Sequence, residues 1–209
     1  MKWNVSLFIL LSSVALILSA CGGGNQDGQK DESGEGKQSE QSYEGSLDIE
    51  VQNFTAVNQD GQEVTLKDLK GNFWVADFIY TQCPDVCLTM TPNMVRLQSM
   101  LKDEGLNTRL ISFSVDPNVD TPEILKKYGK NFNADFSTWD FLTGYSQKEI
   151  ETFAADSFKT LVTKMDGQVA HGTSFYLIAP NGHVINKYNG LQPKGIKNLM
   201  SDLKKYRNQ

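Results

Sequence analysis

Cys21, Cys83 and Cys87 are the residues of this 209-residue chain best equipped for chemistry. The last two form an isolated pair in Thr81-Gln82-Cys83-Pro84-Asp85-Val86-Cys87, directly behind the apolar run 73–80. Two thiols presented at the end of a strand can close a reversible, redox-active disulfide or hold a soft metal. Their spacing lets them share one ion, and a helix starting nearby favours their thiolate forms through the positive end of its dipole. Soft thiolates suit monovalent copper, and an added imidazole supports divalent copper in tetragonal geometry. Zinc also accepts sulfur and nitrogen, but a closed structural zinc site takes four protein ligands and only three good ones are in view. A merely stabilising disulfide is the weaker reading, because so short a loop constrains the unfolded chain little.

His171 and His183 are the only histidines. A histidine before a strand is ordinarily exposed or hydrogen-bonded, so the residues alone leave His171 open as a ligand. His183 follows an Asn-Gly turn and is expected to face solvent. Asp116, in Asp116-Pro117, marks the end of a strand facing the cysteine loop. There it could tune the thiols or touch the metal from a second shell; a turn-forming or capping aspartate is an equal reading. The aromatics Phe73, Trp74, Phe78, Phe113 and Phe175 read as core.

The elements that must position these groups alternate strands and helices. Residues 48–51 and 63–66, separated by Asn58-Gln59-Asp60-Gly61-Gln62, predict an N-terminal β-hairpin closed by an Asp-Gly turn. The run 73–80 predicts a central strand, nearly continuous in apolar residues. The next helix is expected to open at Thr91-Pro92, since proline suits the first helical position and clashes inside a helix already running from Cys83. That places both cysteines on a constrained loop or single turn. Residues 109–115 predict a second buried strand, Asp120-Thr121-Pro122-Glu123 a helix start, and 139–142 a further strand. Ser146-Gln147-Lys148-Glu149 reads as a capping box for a helix through Phe158. Residues 173–179 and 184–188 flank Asn181-Gly182 as a hairpin, and a helix over 195–206 closes the domain. Strand-helix-strand, helix, hairpin, helix is the thioredoxin-like order. The fold class is therefore α/β: a thioredoxin-like fold with an N-terminal β-hairpin extension and a central mixed sheet flanked by helices.

Ahead of this domain, Lys2 precedes an apolar stretch over 5–18, and Leu18-Ser19-Ala20-Cys21 ends it with small residues. This reads as a secretory signal over residues 1–20, too short to span a bilayer before Gly22-Gly23-Gly24. Leu-Ser-Ala-Cys resembles the bacterial lipoprotein box, which implies a lipidated Cys21 anchored at the extracytoplasmic face of the bacterial cell membrane. Acyl chains hold at about 0.8 kcal/mol per buried methylene. Residues 21–45 are Gly, Gln, Glu, Asp, Ser and Lys with almost nothing apolar, the composition of a flexible polar tether. Residues 46–209 form the thioredoxin-like domain, long enough for one substantial core. A net charge of −5 with no basic stripe argues against nucleic acid as a partner.

Three segments carry a family resemblance: Tyr80-Thr81-Gln82-Cys83-Pro84-Asp85-Val86-Cys87, Ser114-Val115-Asp116-Pro117-Asn118-Val119-Asp120-Thr121-Pro122, and the stretch opening His171-Gly172-Thr173-Ser174-Phe175. In this order they resemble the Sco (SenC) family of copper-binding assembly factors for cytochrome c oxidase, over essentially the whole domain. The resemblance implies Cys83, Cys87 and His171 as ligands for copper, Cu+ or Cu2+. It also implies cytochrome c oxidase subunit II, with its binuclear copper site, as the partner. Leu88 stands where many members have a second proline and Ala170 where mitochondrial members have aspartate; neither change removes a ligand. The implied role is a metallochaperone. The alternative is an enzyme, a thiol-disulfide oxidoreductase that keeps the oxidase cysteines reduced through Cys83 and Cys87. A peroxidase of the peroxiredoxin type fits less well, because Tyr80 stands where that family places threonine.

Overall fold

The computed structural model describes Tyr43 and residues 46–208 apart from Asp166. These residues fall in the second of two compact units of the chain, Ser39–Gln209. The signal, Cys21 and the polar stretch before Tyr43 lie outside the described residues.

Strands β1 (Ile49–Glu50), β4 (Trp74–Ile79), β5 (Arg109–Ser114), β6 (Trp139–Leu142), β9 (Ser174–Ile178) and β10 (His183–Asn189) build one sheet in the order β1-β10-β9-β4-β5-β6. Strands β4, β5 and β6 run parallel, while β9 joins β4, and β10 joins β9, antiparallel. The sheet is therefore mixed, with β4 at its centre. Both faces of β4 are covered, which explains its unbroken apolar run. Val75 and Ile79 meet α1 (Cys87–Asp103), α2 (Pro122–Asn131) and α4 (Pro193–Arg207) on one side. Trp74, Ala76 and Phe78 meet α3 (Gln147–Phe158) and the first hairpin on the other. Among the described residues no helix is long and apolar enough to cross a membrane.

The predicted starts of α2 and α3 hold. The Thr121 side chain accepts from Ile124 N, with Pro122 in the first turn of α2. Ser146 and Glu149 exchange hydrogen bonds of 3.2 and 2.7 Å as a capping box. The N-terminal hairpin is present, but its first strand is β2 (Thr55–Val57), paired with β3 (Glu63–Thr65). Residues 49–50 pair instead with β10 at the sheet edge. The turn between β2 and β3 is as expected: Asn58 Oδ1 accepts from the backbone of Asp60 and Gln62, and Gly61 takes φ +76°.

The start of α1 differs more. It begins at Cys87, and Pro92 lies inside it. A proline there forfeits one backbone bond and costs about 3 kcal/mol. Met90, Met94, Leu97 and Leu101 lie on the core-facing side of that helix, all buried. Each contributes about 1.5–3 kcal/mol on burial, so the stripe outweighs the proline.

Candidate metal centre

The cysteine loop leaves the C-terminal end of β4 and turns at once. Cys83 N donates to Tyr80 O at 3.2 Å, and Thr81 is held from below by Asp120 of the β5–α2 loop. The Asp120 carboxylate accepts from Thr81 N at 3.2 and 3.3 Å, from Thr81 Oγ1 at 2.5 Å and from Ser114 Oγ at 2.6 Å. This fully buried aspartate ties the loop to β5, so the thiols sit on a fixed support.

Because α1 starts at Cys87, that residue occupies the first helical position, with Val86 before it offering no side-chain cap. The Cys87 N–H, one of the unpaired donors of the first turn, points at Cys83 Sγ, 3.4 Å away. The sulfur of Cys83 thus stands where a capping oxygen normally would, at the positive end of the helix. Both thiols are buried and unbridged.

His171 arrives on a hairpin of its own, β7 (Val162–Met165) paired with β8 (Gln168–His171). The imidazole Nδ1 donates to Gly172 O at 2.9 Å, since a carbonyl can only accept. Nε2 is therefore the nitrogen with a free lone pair, and it lies 3.4 Å from Cys87 Sγ. The ligand atoms of Cys83, Cys87 and His171 all fall within 4.8 Å of one another. Across the cleft, Lys164 of β7 reaches Asp116 at 2.7 Å and pins the hairpin to the β5–α2 loop. Tyr80 packs its ring edge-on to the His171 ring, centroids 5.7 Å apart.

The two thiols are electrostatically unequal. Burial pushes the Cys83 pKa up, but hydrogen bonds from the Cys87 side chain, the Asp85 and Cys87 backbone and Tyr80 outweigh it, leaving the thiol below its ordinary value. Burial, followed by the bond to Cys83, drives Cys87 well above the ordinary thiol range. Burial lowers the His171 pKa against the opposing Gly172 bond, which keeps the ring neutral and able to ligate. The Tyr80 phenol is pushed up to about 12, first by burial and then by its bond to Cys83, so its hydroxyl stays a donor. Two sulfurs and one neutral nitrogen in a buried cleft fit copper as a soft ion, and the unequal thiols also suit an attacking and a resolving sulfur.

Of the residues singled out in the sequence, Cys83, Cys87 and His171 converge, and Asp116 lines the same cleft. Of its two readings, the turn-forming one is seen at Asp116: its backbone carbonyl closes the turn onto Val119 and Asp120, while its carboxylate pairs with Lys164. His183 is outside the cluster, and its Nδ1 lies 2.9 Å from Asp48 Oδ1 in a surface contact. Three contributors escaped the sequence reading. Asp120 and Lys164 act through tertiary contacts with no local signature, and Tyr80 read as the end of an apolar strand. The β7–β8 hairpin did carry a signal, because the sequence between these short strands reads Asp-Gly, a hairpin dipeptide.

A thioredoxin-like domain that presents two thiols and an imidazole in one cleft defines a class of thiol and soft-metal proteins. The chain belongs to the SCO1/SenC family, whose profile matches residues 44–208. It is 46% identical to a SCO1 protein homolog of Bacillus subtilis over 193 residues, covering 91% of each chain. Its fold matches a SCO1/SenC family lipoprotein from Bacillus anthracis at 46% identity and a TM-score of 0.75, covering 78% of this chain and 98% of that one. It also matches BsSco, a member of the Sco family of cytochrome c oxidase assembly proteins in which a disulfide switch was identified. There the identity is 49% and the TM-score 0.72, over 78% of this chain and 96% of that one. Bradyrhizobium japonicum ScoI, solved with copper bound, matches at 30% identity and a TM-score of 0.58, over 76% and 99% of the two chains.

Proposed function

We propose that this protein is a membrane-anchored copper metallochaperone that takes up one copper ion through Cys83, Cys87 and His171. Its recipient is the binuclear copper site of cytochrome c oxidase subunit II. The observation that carries the reading is the convergence of the three ligand atoms within 4.8 Å, with Nε2 of a neutral His171 turned toward the sulfurs. A thiol reductase needs the two sulfurs and has no use for an imidazole beside them. Copper is cargo here, held by soft ligands that a partner's own thiolates can replace. The copper-bound and oxidase-assembly members of the family support the assignment.

A second reading, a thiol-disulfide oxidoreductase acting on the oxidase cysteines, is favoured by one observation: Cys83 is held below and Cys87 above the ordinary thiol range. That asymmetry suits nucleophilic attack by Cys83 and resolution by Cys87. His171→Ala separates the two. It leaves both thiols able to cycle, so cells carrying it as their only copy should assemble little active oxidase in copper-limited medium, with partial rescue by added copper. Full oxidase assembly at low copper would make thiol reduction the principal task.

The lipid anchor belongs to the same proposal and rests on Leu18-Ser19-Ala20-Cys21 and on likeness to a family lipoprotein. Cys21→Ser should move the protein from the detergent phase to the aqueous phase, or block signal processing, while copper binding persists. An unmodified Cys21 in the mature wild-type chain would refute the anchor.

A further inference from the structure

A strand edge borders the metal cleft and pairs with nothing among the described residues. The cleft encloses about 540 Å³; Gln168, Val169, Ala170 and His171 of β8 line it, and no residue of β7 does. β7 and β8 form a two-stranded sheet of their own, so β8 has one neighbour only. Met165 pairs with Gln168 across two intervening residues, and the register runs on through Thr163–Ala170 to Val162–His171. In a two-residue hairpin the closing pair exchanges backbone hydrogen bonds, and every second pair after it does the same. Ala170 therefore bonds to β7, while the N–H and C=O of Val169 and His171 point away from it. No backbone hydrogen bond from elsewhere among the described residues reaches those four groups. The edges of the six-stranded sheet are blunted by comparison. Phe141 N of β6 donates to Gln59 Oε1 at 2.8 Å, Thr143 and Val57 exchange bonds of 2.9 and 2.8 Å beside it, and β1 has only two residues. β8 carries neither lysine nor proline, the residues that commonly protect an open edge.

We infer that the open edge of β8 is the docking strand for a partner protein, which adds an extended, cysteine-bearing segment beside Val169 and His171. The burial of the thiols argues for an extended segment: Cys83 is 7% and Cys87 1% exposed, so an incoming sulfur must arrive on a thin element. An added strand needs about 4.8 Å beside its neighbour, whereas a helix needs about 10 Å. Cysteine follows from the proposed function, on which the inference rests in this one respect, because copper transfer and dithiol exchange alike bring a partner's sulfur to Cys83. The register then places it. A residue paired with His171 has its Cβ about 5 Å from the His171 Cβ on the same face of the sheet. That is the face on which the His171 ring turns its Nε2 to Cys87 Sγ, so a cysteine there lies against the donor cluster. Backbone bonds to Val169 and His171 supply affinity, and the alternation of the added strand selects which side chain meets the site.

The test uses the chain carrying Cys21→Ser and Cys87→Ser, in which Cys83 is the one thiol. The probe is the peptide acetyl-Thr-Val-Cys-Val-Thr-amide, its cysteine activated as a mixed disulfide with thionitrobenzoate. The Cys83 thiolate attacks the peptide sulfur; the new S–S bond forms as the bond to thionitrobenzoate breaks, and the coloured thionitrobenzoate thiolate leaves with the electron pair. A second conjugate, made in the same way from mercaptoethanol, carries the disulfide without a peptide backbone. Amide hydrogen exchange followed by NMR should be about 3- to 10-fold slower at Val169 and His171 in the peptide conjugate than in the mercaptoethanol conjugate, the weight of one hydrogen bond. At Ala170, whose N–H already bonds to β7, the two conjugates should agree. Equal exchange at Val169 and His171 in both conjugates overturns the inference. Protection of those two amides in both conjugates that grows with protein concentration also overturns it, by giving the edge to a second copy of this chain. No metal is present, so failure of the copper reading, tested by His171→Ala, leaves this result unchanged.

Discussion

Replacing either Cys83 or Cys87 with serine is expected to lower copper affinity by more than about a hundredfold, and to abolish the internal disulfide. Loss of an outer partner to a ligand already costs 10- to 100-fold, and here a ligand itself is lost. A hydroxyl is a hard, weakly acidic donor that cannot replace a soft thiolate for monovalent copper. The fold should survive, because the loop is anchored independently by Asp120 and α1 is held by Met90, Met94, Leu97 and Leu101. Circular dichroism and thermal melting check the fold, and competition titration against a chelator checks the affinity. Undiminished affinity in either single variant would remove that sulfur from the site.

The second large effect concerns stability and comes from Asp77, in the middle of β4 and fully buried. Its Oδ1 accepts from Ser112 Oγ at 2.6 Å, Ser112 in turn accepts from Trp139 Nε1 at 2.9 Å, and Oδ2 has no partner. Burial, only partly offset by the Ser112 bond, raises the Asp77 pKa from 3.8 to about 7. A carboxyl whose folded pKa lies above its unfolded value holds its proton more tightly when folded. Between pH 4 and 7 the unfolded state therefore binds fewer protons, and stability falls as pH rises. Below pH 4 both states are protonated and nothing is lost; above about 7 the deficit is complete, at most about 4 kcal/mol.

Asp77→Asn is neutral at every pH and keeps an oxygen for Ser112. Its stability relative to wild type should therefore grow from pH 5 to pH 8, as measured by urea unfolding of the metal-free, reduced protein. Other groups that titrate in this range, His171 among them, are common to both proteins and cancel in the difference. Cys87 stays protonated throughout the range because its own pKa is raised. A difference that does not change with pH would show that Asp77 ionises freely in the folded state.

Much of this architecture was legible because the relevant signals are local. The period-2 and unbroken apolar runs gave β4, β5, β6, β9 and β10 within a residue or two, and Ser146 and Glu149 announced α3 by their capping box. The cysteine spacing announced the chemistry, and the segment after His171 tied it to a family. What failed was non-local. Ile49–Glu50 has the pattern of a hairpin arm, yet pairs with β10, a partner more than 130 residues away in sequence. Pro92 argued for a later helix start, and the buried methionine and leucine stripe overrode it by packing energy no single residue reveals. That difference bears on the site, since only a helix beginning at Cys87 aims that residue's N–H at the Cys83 sulfur. The β7–β8 hairpin is short, and its placement beside the thiols comes from Val162 and Val169 packing on the core and from Lys164 reaching Asp116. Asp77 looked like one polar break in an apolar strand, and its weight appears only when the helices close over it.

The most direct measurement is copper-edge X-ray absorption of the reduced wild-type protein loaded with divalent copper, with metal content determined alongside. The account predicts one copper per chain, two sulfur neighbours and one imidazole nitrogen, the nitrogen disappearing in His171→Ala and one sulfur in Cys83→Ser or Cys87→Ser. A first shell of oxygen and nitrogen alone, or a spectrum unchanged by these substitutions, would contradict it.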